Sequence, residues 1–277
     1  MNRYFPVTAK YLVPGPLYRL GEPGAGERYL ETDENIENYL RYKRSGAAQS
    51  GPSRTHPASA VAEQQVAHWL GNTIATELHA ASPGEDIDAM VSRLQEDLVI
   101  LCRDPHTASA TAVYLNVAFP SGWCPRCALG KDFLAIHAPV PQSDGFDDAA
   151  RERVTKFLFG RQTLVRFVWT VTPDNGLDRR MCAHDPRHTN ADIGTWDAVE
   201  KPGDIHFRVE RQIIAPINNA VCAFLIRVYQ DPVISLDQEQ RRRIAAALES
   251  MTPAVARYKG LLAHREKIGR LLVHSAQ

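Results

Sequence analysis

Side chains able to do chemistry gather in a few short segments of the 277-residue chain. His137 stands in the apolar run Phe133 to Ala138 and is followed closely by Pro139 and Pro141, which restrict the backbone. A neutral imidazole held rigidly beside an apolar cavity suits metal ligation, whereas the ordinary alternative is a core histidine satisfied by a backbone carbonyl. Glu210 and Arg211 are neighbours in a predicted strand and so point to opposite faces. A pocket glutamate can anchor an amine cation and pass protons, and an arginine can hold an anionic group. The alternative for this pair is a cross-strand ion pair. Arg227 and Tyr229 share one face of the next predicted strand by the two-residue period, and Lys43 adds a basic group in Tyr42-Lys43-Arg44.

Cys124-Pro125-Arg126-Cys127 has the spacing of half a zinc knuckle, and Cys182 with His184 would complete four ligands. A lone pair of cysteines at this spacing specifies little, and the reading adopted is two thiols in a turn. His184 and His188 are four apart, but Asp185-Pro186 lies between them and argues for a surface turn. Five cysteines, an odd number, suggest no disulfide framework, so a reducing, cytoplasmic setting is expected.

The elements that must position these residues change period along the chain. Helices are expected over Asp33–Lys43, Ala60–His79 and Asp86–Leu101, the last with Asp86 as N-cap. Met1 to Leu20 reads as an extended arm and Ser45–Ala58 as a loop. Strands are expected over Thr111–Phe119, Phe133–Ala138, Leu164–Val171, Ile205–Ile214 and Val221–Tyr229, all rich in β-branched and aromatic residues. A helix over Asp147–Phe159 interrupts them. Ser235 with Gln238 suggests a capping box, and Thr252-Pro253 starts a second closing helix. Helices, then a mostly antiparallel sheet, then helices make an α+β fold rather than a βαβ chain. The whole length reads as one domain, with an N-terminal arm and helices to about residue 105 and C-terminal helices from about residue 235.

Composition limits the function classes. Lys+Arg and Asp+Glu both number 32, so no net field attracts nucleic acid or an anionic membrane. Arg241-Arg242-Arg243 reads as a solvated helix face. No stretch reaches the roughly 18 apolar residues of a membrane span, and no apolar leader core opens the chain. No Gly-rich phosphate loop or dinucleotide fingerprint is present.

One stretch is recognisable as a family pattern. Phe119-Pro120-Ser121-Gly122-Trp123, Leu129-Gly130-Lys131 and Ala135-Ile136-His137-Ala138-Pro139-Val140-Pro141 follow one another. They resemble the "PS-W … LG … IH-PVP" signature of the haem-dependent oxidative N-demethylases, the family that includes the haem subunit of dimethylamine monooxygenase. Leu94 to Leu98 looks like the helix before the signature strand. Arg208-Val209-Glu210-Arg211-Gln212 with Phe224 to Tyr229 looks like that family's paired strands. The likeness runs from about Ile87 to Pro232. Relatives usually carry a lysine directly before the Leu-Gly pair, where this chain has Ala128.

The resemblance implies a PAS-like antiparallel sheet holding haem b, with His137 on the iron. It implies dioxygen-dependent oxidation of a small amine, with electrons passed from NAD(P)H through a separate flavin and iron–sulfur reductase. Arg211 and Arg227 are then the candidates to hold haem propionates, and Glu210, Arg211, Tyr229 and Lys43 the candidates to act on substrate. Two rival readings are a haem-based gas or redox sensor and a zinc-stabilised relative without haem.

Overall fold

A computed structural model describes residues 20–21, 28–45, 52–54, 59–80, 84–107, 109–141, 148–184 and 189–273. The long β-branched runs late in the chain pair as a hairpin, β6 (His206–Pro216) with β7 (Val221–Pro232). Asn218 closes its turn, its side-chain oxygen accepting from the Ala220 and Val221 amides. Around the hairpin lie β1 (Leu20–Gly21), β2 (Ser53–Arg54), β3 (Asp97–Arg103), β4 (Ala110–Asn116) and β5 (Leu164–Thr172). The sheet order is β1-β5-β6-β7-β3-β4-β2, antiparallel throughout. The five long strands thus run 2-1-5-4-3 by chain order, with helices inserted between the second and third, which agrees with the PAS-like, α+β expectation.

The two-residue period of the strands sorts the cores. On one face Leu98, Ile100, Val165, Ile213 and Leu225 meet α2 (Ser59–Glu77) and α3 (Ile87–Ser92) through Val66, Leu70, Ile74, Met90 and Val91. Further along that face Phe207, Val209 and Tyr229 meet α7 (Gln238–Glu249), α8 (Pro253–Tyr258) and α9 (Arg265–Val273). On the other face Val99, Leu115, Ile214, Phe224 and Ile226 are covered by α4 (Pro125–Ala128), α5 (Phe133–His137) and α6 (Asp148–Leu158).

Four sequence expectations are corrected. The helix expected over Asp86–Leu101 keeps Asp86 as N-cap, accepting from the Ala89 amide at 2.7 Å, but ends at Ser92. The apolar run from Leu98 is a strand, because a centre strand buried on both faces is continuous rather than alternating, and periodicity cannot separate it from helix. The strand expected over Phe133–Ala138 is one helical turn, with the Ile136 amide bonded to the Asp132 carbonyl at 3.0 Å. The capping box lies two residues later than expected. Asp237 Oδ1 accepts from the Gln240 amide at 2.7 Å, and Gln240 Oε1 accepts from the Asp237 amide at 3.0 Å. Three helices, not two, then close the chain. The arm expected over Met1–Leu20 lies outside the described residues except for Leu20, which pairs with Arg166.

Beyond Asp97, which pairs with Ile226, β7 runs on without β3 beside it. Residues 28–35 and α1 (Ile36–Arg44) occupy that place, and Tyr39 Oη donates to the Val228 carbonyl at 2.8 Å. Asp97 is wholly buried there; its carboxylate accepts from the Ala118 and Phe119 amides at 3.0 and 2.8 Å and faces Lys43 Nζ at 3.4 Å. Breaking a buried ion pair leaves an uncompensated charge. Asp97→Asn is expected to lower the unfolding free energy by about 3 kcal/mol or more. In urea unfolding its midpoint should fall clearly, while that of Lys156→Ala, which breaks the exposed Glu152–Lys156 pair, stays in place.

Candidate functional site

His137 ends α5 and is half-buried. Gly130, at φ +74°, turns the chain into this segment, and its amide donates to the Ala112 carbonyl of β4 at 2.8 Å. The Lys131 carbonyl accepts from the Ala112 amide at 3.0 Å, and Asp132 bridges to Thr111. Phe133 and Leu134 are buried in the sheet face, which sets the turn that carries the imidazole, and Pro139 prevents a longer helix.

The imidazole Nδ1 lies 2.7 Å from the Phe133 carbonyl, and its ring packs on the Phe133 ring at 4.1 Å between centroids. A carbonyl only accepts, so Nδ1 carries the proton and the Nε2 lone pair is the basic one in the neutral ring. The bland alternative, a histidine bonded to a carbonyl, and the metal-ligand reading therefore describe one geometry. Burial and then the nearby Arg166 guanidinium push the His137 pKa down to about 4, the Phe133 carbonyl opposing them. The ring is neutral at physiological pH.

Arg166, on β5, is buried and heads a chain of polar contacts on the same sheet face. Its Nε donates to Gln212 Oε1, and Gln212 Nε2 donates to Glu210 Oε2 at 2.6 Å. His137 and Glu210 are thus linked through the field of Arg166 and through Gln212. Glu210 also raises the pKa of Lys259, although burial wins and holds that ammonium down to about 8. Lys259 Nζ donates to the Trp169 carbonyl at 2.6 Å.

The remaining sequence candidates lie elsewhere. Arg211, Arg227 and Tyr229 point from the opposite face toward residues 28–33. Arg211 donates to the Arg28 and Tyr29 carbonyls and pairs with Glu31 at 3.6 Å. Tyr229 Oη donates to Glu31, and Arg227 Nη2 pairs with Asp33 at 2.6 Å. The Arg227 guanidinium also lies over the rings of Tyr39 and Tyr229, at 4.5 and 4.6 Å. Lys43 is buried against Asp97 and donates to the Glu96 carbonyl at 2.6 Å; burial pushes its pKa down.

Two arginines of this region were not singled out as candidates from the sequence. Arg166 is the only charged residue in the Leu164–Thr172 strand, a signal that its environment had to be built for it. Arg208 is almost wholly buried and donates to the Phe119 and Leu177 carbonyls, Ser121 Oγ and Gln230 Oε1 at 2.8 to 2.9 Å. Its role is to hold the Phe119–Ser121 segment against the sheet.

A histidine with a depressed pKa binds its proton more weakly when folded than when unfolded. Its effect on stability is nil above the ordinary value of 6.5 and turns unfavourable as pH falls toward about 4. The non-titrating variant His137→Gln should therefore gain stability relative to the parent protein between about pH 6.5 and pH 4, with no change in the difference above pH 7. Paired denaturant titrations of the two haem-free proteins across that range measure this. A constant difference would place the imidazole in an ordinary, solvated setting.

The His137 donor set fits haem. A neutral imidazole whose Nδ1–H is held by a carbonyl and whose Nε2 is basic is what a proximal ligand requires. Among the described residues no helix is long and apolar enough to cross a membrane. A search among curated proteins finds no match. Residues 28–269 match the family model described as haem-dependent oxidative N-demethylase, alpha subunit-like. With its signature segments spread over β4 to β7 and the match covering most of its length, the chain belongs to the haem-dependent oxidative N-demethylase alpha subunit-like family.

Proposed function

We propose that this protein is a single haem-binding domain that oxidises a small amine, with His137 as the iron ligand. The observation that carries this reading is the Nδ1 contact to the Phe133 carbonyl, which leaves a basic Nε2 on a ring kept neutral to about pH 4. Membership of the family supports the reaction class. The chemistry that haem supplies when bound is reductive activation of dioxygen at iron.

The chain's own residues supply the rest. The Phe133 carbonyl orients the His137 ring and raises its basicity as a ligand. Arg166, on the same sheet face as the His137 turn, is the cation assigned to the haem's negative charge, in preference to Arg211 and Arg227, which lie on the opposite face. Glu210 is the group assigned to the amine. Its carboxylate balances an ammonium and can accept a proton from the substrate nitrogen, while Gln212 holds Oε2 in place at 2.6 Å. Arg211, Tyr229 and Lys43 act by fastening residues 28–33 and α1 over the open end of β7.

Oxidative N-demethylation converts an N-methylamine, dioxygen, two electrons and two protons into the demethylated amine, formaldehyde and water. The two electrons are assigned to a separate flavin and iron–sulfur reductase fed by NAD(P)H, in keeping with the family's description as a subunit.

Reconstituted with haem, the parent protein should show a Soret band, and His137→Ala should lose it or bind haem far more weakly. An unchanged Soret band at full occupancy in that variant removes His137 from the iron. Glu210→Gln should keep the band but lose about a hundredfold or more in amine-dependent oxygen uptake with an artificial reductase. Equal loss with a non-ionisable substrate would argue against the carboxylate's part in proton transfer.

A further inference from the structure

The Cys124–Cys127 turn is not absorbed by the haem reading. It begins α4, with Pro125 in the first helical position and the Cys127 amide bonded to the Cys124 carbonyl at 3.1 Å, so one turn brings both thiols together. A third thiol arrives from 55 residues away, with Cys182 Sγ 3.2 Å from Cys127 Sγ. The three sulfurs all lie within 4.8 Å of one another. Cys124 and Cys182 are buried and Cys127 is half-buried.

The two loops are joined by backbone contacts that do not involve the sulfurs. The Gly122 amide donates to the Arg179 carbonyl at 2.9 Å, and the Arg179 amide donates to the Pro120 carbonyl at 3.0 Å. The Cys182 amide is fixed by Thr189 Oγ1 at 3.0 Å. The meeting of the thiols is therefore set by loops anchored on both sides. The 3.2 Å separation is far longer than the about 2.05 Å of a disulfide bond. Thiolates on a tetrahedral ion, each about 2.3 Å from it, sit about 3.8 Å apart. Shifts of about an ångström would bring these sulfurs to that spacing.

We propose that Cys124, Cys127 and Cys182 bind a soft divalent cation of the zinc class and so clamp the α4 turn to the loop after β5. The cation takes three thiolates and releases three protons, and no oxidant or reductant is involved. A fourth position remains for water or for His184, which lies two residues beyond Cys182 and is exposed. Crowding supports the assignment, because three thiols from two separately anchored loops converge without a disulfide between them. The clamp would lie just ahead of Gly130 and α5, steadying the segment that leads to His137.

The test uses the full chain, purified under reducing conditions without chelator. Elemental analysis should find about one zinc per chain, released into a chromophoric chelator as a mercurial titrates the thiols. After chelator treatment, added Co2+ should give the near-ultraviolet charge-transfer absorption of cobalt–thiolate bonds. Cys102→Ser should keep both signals, and Cys124→Ser and Cys182→Ser should lose them. The measurements on the parent protein decide even if those two variants do not fold. Less than about a tenth of an ion per chain, together with no cobalt–thiolate absorption, would overturn the proposal. So would a Cys127–Cys182 disulfide in protein alkylated anaerobically straight from the cell, which would mark the pair as a redox couple instead.

Discussion

The segment from Val117 to Ser121 has to leave the sheet at the end of β4 and still lie against it, and two buried charges hold it there from opposite sides. Asp97 accepts the Ala118 and Phe119 amides, and Arg208 donates to the Phe119 carbonyl and Ser121 Oγ. Neither charge is tolerable without these partners, since a buried, unpaired ion costs several kcal/mol. The two requirements together allow one path for the chain. Everything that follows it, the cysteine turn, the Gly130 bend and the His137 turn, inherits its position from that path.

The same economy of buried charge explains the two faces of the sheet. Residues alternate along β5, β6 and β7, so the Arg-Glu-Arg-Gln region places Glu210 and Gln212 toward α5 and Arg211 toward residues 28–33. The first face carries the hydrogen-bonded chain Arg166–Gln212–Glu210 on the side covered by the His137 turn. The second carries a set of polar contacts and ion pairs that secures the edge of β7 left uncovered by β3, through Glu31, Asp33, Arg211, Arg227 and Tyr229. One strand pair thus serves both the candidate site and the attachment of the N-terminal helix, which couples the order of residues 28–35 to the hairpin that carries Glu210.

His137 shows how one contact can answer two questions. Hydrogen bonding to a carbonyl satisfies a buried polar atom, the usual fate of a core histidine, and it also selects the tautomer a metal needs. Arg166 adds to the effect of burial, since a guanidinium nearby disfavours the imidazolium. The arrangement works with a short helical turn where a strand was expected, because only the turn brings the Phe133 carbonyl under its own residue-four-later side chain.

Much was legible in the residues themselves. The alternation of β5 to β7 and the switch from helical to two-residue period determined an antiparallel α+β chain, and the segments around Trp123, His137 and Arg211 determined the family. Local signals such as Asp86 as a cap and Thr252-Pro253 as a start held because capping is a contact between near neighbours. What required the tertiary structure was every feature that depends on distant partners. Leu98 to Cys102 is a strand because β4 and β7 flank it, and Phe133 to His137 is a turn because the sheet buries Phe133 and Leu134. Arg211 and Arg227 face Glu31 and Asp33, while Arg166 lies on the other face within electrostatic reach of His137, and no spacing along the chain distinguishes those arginines. Cys182 joins Cys124 and Cys127 for the same reason: loop closure, not local preference, decides which thiols meet.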